Sequence, residues 1–172
     1  MILNYIKNFF FKKKQKKKIQ DVISTSNSNT IQTVGLLIDE SYFFEKEAFV
    51  KELIANGILE TNIKIIAFSD RLKKSELNSH PTFSLKDFNW KSQITNLEVN
   101  NFILEKFDLL INYYDVEKAI LLYITNASKA DFKVGFSTID KRLNHFMINT
   151  NAENYTVFTQ ELFRYLKLLN KI

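Results

Sequence analysis

The sequence predicts one α/β domain, a mostly parallel sheet of about five strands with helices on both faces. Three observations carry this. Apolar runs of strand length, bounded by polar residues, recur at 33–39 (TVGLLID), 62–69 (NIKIIAFS) and 108–114 (DLLINYY); strands buried on both faces read this way. Stretches with helical period separate them, as crossovers between parallel strands require. The chain has only three Gly and one Pro, too few for a fold of repeated tight hairpins.

A length of 172 residues suits one domain with a sizeable core. The apolar share of 45% and the charged share of 25% are ordinary globular values. Sixteen Phe and seven Tyr supply much burial per residue. With no cysteine, disulfides and thiolate metal sites are excluded.

Residues 1–23 form a basic amphipathic arm. At 100° per residue, Ile2, Tyr5, Ile6, Phe9 and Phe10 share one face, and Asn4, Lys7 and Asn8 lie opposite. Residues 24–32, which include STSNSNT, read as a linker, and 33–172 as the α/β domain. Within the domain, 33–39 is the first strand, 44–56 a helix closed near Gly57, and 62–69 the second strand. The irregular region 70–93 holds Pro81 and Trp90, and 83–90 alternates enough for a short edge strand. Residues 96–107 read as a helix burying Leu97, Phe102, Ile103 and Phe107, followed by the third strand at 108–114. The run AILLYIT at 119–125 fits a helix or a strand, since short apolar runs lack a decisive period. The helix, over 116–127 with Asp115 as N-cap, is preferred. Strands follow at 131–136 and 146–149, then a C-terminal helix from 155 with Phe158, Leu162, Tyr165, Leu166 and Leu169 as its stripe. This arrangement is Rossmann-like.

Two places could carry function. In open parallel sheets, ligands bind beyond the carboxyl ends of the strands. Asp39, Asp70, Asp115 and Asp140 fall at those ends. Together they could hold a divalent cation and support attack on a phosphoester, although carboxylates at strand ends more often cap helices and turns. No glycine-rich phosphate motif exists, and His80 and His145 lack metal-ligand spacing. Gly35, inside a strand, marks a close packing contact. The second place is the arm. Lys7, Lys12, Lys13, Lys14, Lys16, Lys17 and Lys18 give +7 before residue 19, so a net charge of +5 leaves about −2 for the remainder. Such an arm suits a phosphate backbone or an anionic membrane, where Ile6, Phe9, Phe10 and Phe11 would add apolar burial. Its apolar face could equally pack on the body.

The segments VGLLIDES (34–41), FSLKDFNW (83–90), FDLLINYY (107–114), SKADFKVGF (128–136), DKRLN (140–144) and ELFRYLKLLNKI (161–172) carry a likeness across nearly the whole chain after the arm. Through them the sequence resembles a small family of Bacteroidota proteins known only as a full-length domain of unknown function. That resemblance implies a family and supplies no activity. The span 107–136 is also similar to a strand-helix-strand unit of heptosyltransferase-type glycosyltransferases, which need a second domain. VGLLIDES is similar to the first strand of PIN-like or NYN-like nucleases, whose final metal-binding Asp would correspond to Asp39.

The expectation is a non-enzymatic binding or adaptor module without cofactor or resident metal. Its partner is RNA or the ribosome, an anionic membrane surface, or a larger protein complex. A metal-dependent phosphoesterase or nuclease using the four acids is the alternative. No apolar run is long enough to span a membrane and no cleavable leader pattern appears, so a cytoplasmic location is expected, peripheral on the inner membrane if lipid is the partner.

Overall fold

The computed structural model describes residues 13, 19, 30–41, 43, 45–70, 80–87 and 94–172. Six parallel strands form one sheet: β1 (Val34–Asp39), β2 (Ile63–Phe68), β3 (Thr82–Phe83), β4 (Leu109–Tyr113), β5 (Phe132–Phe136) and β6 (Phe146–Ile148). Their spatial order is β3-β2-β1-β4-β5-β6. The α/β expectation holds, with six strands in place of about five. The sixth is β3, the edge strand expected at 83–90: it is shorter than that and shifted to Thr82–Phe83, because Leu85–Asp87 turns away as a 3-10 helix. Four α-helices lie among the described residues: α1 (Lys46–Ala55), α2 (Leu97–Leu104), α3 (Ala119–Ala127) and α4 (Tyr155–Leu168). None is long and apolar enough to cross a membrane.

The two faces follow from the alternation of β4. Tyr113 points to one side, where Phe43, Phe49, Phe136 and Phe158 surround its ring at centroid distances of 4.6, 4.5, 5.1 and 5.1 Å. Phe49 belongs to α1 and Phe158 to α4, and these two helices pack together there. Asn112 and Tyr114 point to the opposite side, where both meet Thr125 of α3; α2 packs beside α3. Helices therefore cover both faces.

Local sequence explains most boundaries. The Asn96 side chain accepts from the Glu98 and Val99 amides at 3.0 and 3.3 Å, which starts α2. Leu97 is a correction: expected in the core, it is 68% exposed. A residue at the first helical position can turn away from the stripe that begins at Val99. The helical reading of 119–125 is right and its N-cap is not. Helix α3 starts at Ala119, with Lys118 in the cap position. Asp115 instead accepts from the Ala152 amide at 2.9 Å. In α4, Phe158, Leu162 and Leu166 are buried as the period requires, while Leu169 lies past the helix end.

Gly35 marks a close contact, as read from the sequence. A Cβ placed there would sit 2.7 Å from Cδ2 of Phe107, whose ring packs on Phe102 at 4.9 Å. A rigid ring in a filled layer cannot retreat easily. Gly35→Ala is expected to cost about 1–3 kcal/mol, read as a lowered denaturation midpoint at unchanged m-value; an unaltered midpoint would refute the packing account.

The β5–β6 connection contains no helix. It runs close against the sheet because Gly135 has no side chain: a Cβ there would lie 2.6 Å from Nδ2 of Asn144. Ile139 and Leu143 of this connection are buried.

Candidate functional site

Strand order reverses direction between β1 and β4. Connections leaving their carboxyl ends part to opposite sides, which opens the crevice where doubly wound sheets hold ligands. Here the crevice is filled by the chain itself. Lys118, just before α3, extends its ammonium into it. Nζ lies 2.8 Å from Oδ2 and 3.1 Å from Oδ1 of Asp39, the last residue of β1. It lies 2.8 Å from Oδ2 of Asp70 after β2, and 2.9 Å from Oγ of Ser41. The ring of Phe68 stands 4.5 Å beneath it. Ser41 also accepts from the Asp70 amide at 3.2 Å, and its own amide donates to Asp39 Oδ1 at 3.0 Å. Asp39 is 5% exposed and Lys118 7%. Beside this group Lys46 pairs with Glu40. His80 is held below its ordinary value, first by partial burial and then by the Lys46 charge.

The arrangement is suited to closing the crevice. A pyrophosphate cradle needs backbone amides exposed by glycines at the β1 turn. This turn reads Asp39-Glu40-Ser41, and its carboxylates would repel phosphate. The Lys118–Ser41 distance is that of a lysine-activated hydroxyl. An ammonium held between two carboxylates is a donor, however, and takes no proton from Ser41. A cation on Asp39 would have to displace that ammonium. Among the described residues, no three His, Asp or Glu side chains gather as a metal-ligand group.

The four acids are thus divided. Asp39 and Asp70 meet on Lys118. The Asp115 carboxylate serves the turn before α4 through the Ala152 amide, and its carbonyl accepts from Thr138 Oγ1 of the β5–β6 connection at 2.8 Å. Asp140 accepts from Arg142 Nε and Nη2 at 2.9 and 2.6 Å. Asn112, within β4, is a core residue. Its Nδ2 donates to Asn144 Oδ1 at 2.7 Å, and its Oδ1 accepts from Thr125 Oγ1 at 2.8 Å. Lys133 is also buried, donating to the carbonyls of Thr125 and Ser128 at 2.8 and 2.9 Å. Of the arm, Lys13 is exposed. Lys7, Lys12, Lys14, Lys16, Lys17, Lys18, Ile6, Phe9, Phe10 and Phe11 lie outside the described residues, as does Trp90. Sequence reasoning missed Lys118. The available signal was a lone cation entering an apolar run that leaves it no solvent-facing side.

A model of the Family of unknown function (DUF6913) matches residues 7–169. The chain belongs to this family. The DUF6913 match takes in the lysine block together with the α/β domain. No curated protein and no solved structure matches the chain.

Proposed function

We propose that this DUF6913 protein is a non-enzymatic binding module of the cytoplasm, whose basic arm engages a phosphate-bearing polyanion, RNA before anionic lipid. The supporting observation is the closed crevice. The position where this topology ordinarily takes a ligand is occupied by Lys118, Asp39, Asp70 and Ser41. The body is then a scaffold with a slightly negative remainder, and the concentrated positive charge lies in seven lysines ahead of residue 19. Counterion release makes such a block bind phosphate polymers without sequence preference.

Binding of the full-length protein to single-stranded RNA is expected to weaken steeply with salt. The slope of log K against log salt would approach about −5 if all seven lysines contact phosphate, at about −0.7 per contact. Replacing Lys12, Lys13, Lys14, Lys16, Lys17 and Lys18 by glutamine should bring the slope to about −0.7, the single contact left at Lys7. Fluorescence anisotropy across a salt series measures it. Vesicles with and without anionic lipid form the second arm of the experiment. Binding that prefers vesicles and persists at high salt would replace RNA by lipid, and binding that survives the glutamine substitutions would remove the arm from the function.

A further inference from the structure

The chain contains one Asn followed by Gly, Asn56–Gly57, and the fold places it just past the end of α1. Gly57 has a φ of +98° and, apart from its chain neighbours, no heavy atom lies within 4 Å of where a Cβ would stand on it. It is exposed, and Asn56 is half-buried. Three hydrogen bonds close the helix here. Nδ2 of Asn56 donates to the Glu52 carbonyl at 2.9 Å. The Gly57 amide donates to the Ile54 carbonyl at 2.9 Å and the Ile58 amide to the Leu53 carbonyl at 3.2 Å, the pattern of a helix ended by a left-handed glycine. Leu53 and Ile58 are buried, while Ile54, Ala55 and Gly57 between them are exposed.

An Asn–Gly step carries its own electrophile and nucleophile. When the Gly57 amide gives its proton to water or hydroxide, its nitrogen attacks Cγ of Asn56. The new N–C bond closes a five-membered succinimide, and the Cγ–Nδ2 bond breaks as Nδ2 leaves as ammonia. Water then opens the ring at either carbonyl, giving aspartate or isoaspartate. The net change is amide plus water to acid plus ammonia, with no oxidant or reductant. Glycine favours the step because no side chain crowds the ring and the backbone turns freely to the angles it needs. In the closed turn both reacting groups are engaged, the Gly57 N–H with Ile54 and the Asn56 amide with Glu52. Fraying of the last turn of α1 frees them. That turn is exposed at Ile54, Ala55 and Gly57, as segments that open without global unfolding are.

The structure assigns Asn56–Gly57 as a self-modification site of the native protein, gated by the fraying of the last turn of α1. The product loosens the turn that made it. Aspartate at position 56 gives up the donor to the Glu52 carbonyl. It also sets a carboxylate at the negative end of the helix dipole, one turn from the Glu52 side chain. Isoaspartate further lengthens the backbone by one carbon between the buried Leu53 and Ile58. The exit from α1 towards β2 is therefore weaker in an aged molecule than in a new one.

The test holds the full-length protein at mildly alkaline pH, in buffer and in guanidinium chloride, and follows isoaspartate at residue 56 by peptide mass spectrometry. Native formation should run within about 100-fold of the unfolded rate, as local opening allows. A requirement for global unfolding would slow it at least about a thousandfold. Gly35→Ala, which lowers global stability, should leave the native rate unchanged, whereas a global route would raise it by about 5- to 150-fold. Asn56→Gln should block the reaction at this position, since its longer side chain closes a larger ring far more slowly. Asn56→Asp should unfold at a lower denaturant midpoint than the parent. A native rate more than about 100-fold below the unfolded one, a rate that rises with the lost stability of Gly35→Ala, or an Asn56→Asp midpoint equal to the parent's would overturn the proposal. Neither RNA nor lipid enters, so this outcome is independent of the salt titration.

Discussion

Lys118→Met is expected to destabilise the fold by about 3–5 kcal/mol, the range for removing one partner of a buried ion pair. The cost falls mainly on Asp39. Its side chain is 6% exposed and both its oxygens face the ammonium. Without Lys118 the carboxylate remains buried, with the Ser41 amide as a much weaker partner. Asp70, with a side chain 39% exposed, can turn to water and loses less. This difference dictates the control. Adding Asp39→Asn to Lys118→Met removes the stranded charge, and should return a large part of the lost stability. Adding Asp70→Asn should return little. Urea unfolding of these four proteins, with Asp39→Asn and Asp70→Asn alone to close each cycle, gives the coupling. Lys118→Met at under about 1 kcal/mol, the range of a solvated pair, would mean that the crevice is wet and open to ligands. The closed-crevice argument for a non-enzymatic module would then lose its support.

The fold was legible where burial dictates composition. Strands covered on both faces admit few polar residues, so TVGLLID, NIKIIAF and DLLINYY stood out, and their separation by helical periods implied crossovers. The helix choice for AILLYIT was harder because α3 is buried on every side and so has no polar face to set a period. The same cause hid its start: Asp115 has the chemistry of an N-cap, but the helix begins four residues later and the carboxylate serves the Ala152 amide. The site was half legible. Asp39 and Asp70 were placed at one edge by strand topology alone. Their shared partner was invisible, because Lys118 reaches them across 79 and 48 residues of chain. Asn112, in turn, is a polar residue inside the apolar run DLLINYY. The alternation of β4 turns it inward, where Asn144 and Thr125 satisfy its amide.

Lys133 provides the second large effect, read in the pH dependence of stability. Its ammonium is buried with two carbonyls at the carboxyl end of α3 and, among the described residues, no carboxylate partner. Burial, aided by the nearby Lys129 charge, lowers its pKa from 10.5 to about 8. Between those values the unfolded chain holds a proton that the folded chain has released. Stability therefore rises with pH across this window and is flat well below it. The gain from pH 7.5 to 9.5 should be about 2 kcal/mol. Tyr113 and Tyr114 act in the opposite sense. Burial pushes both phenols above their ordinary value, so the fold keeps protons that the unfolded chain loses near pH 10, and stability falls beyond that point. The result is a maximum on the alkaline side. Lys133→Met should flatten the rise and leave the fall in place. Its stability at pH 7 is a poorer guide, since losing a costly buried charge is offset by two helix-end carbonyls left without a donor. Denaturant midpoints at half-unit pH steps decide the matter: a parent protein with no rise between pH 7.5 and 9.5 would place the Lys133 ammonium in contact with water.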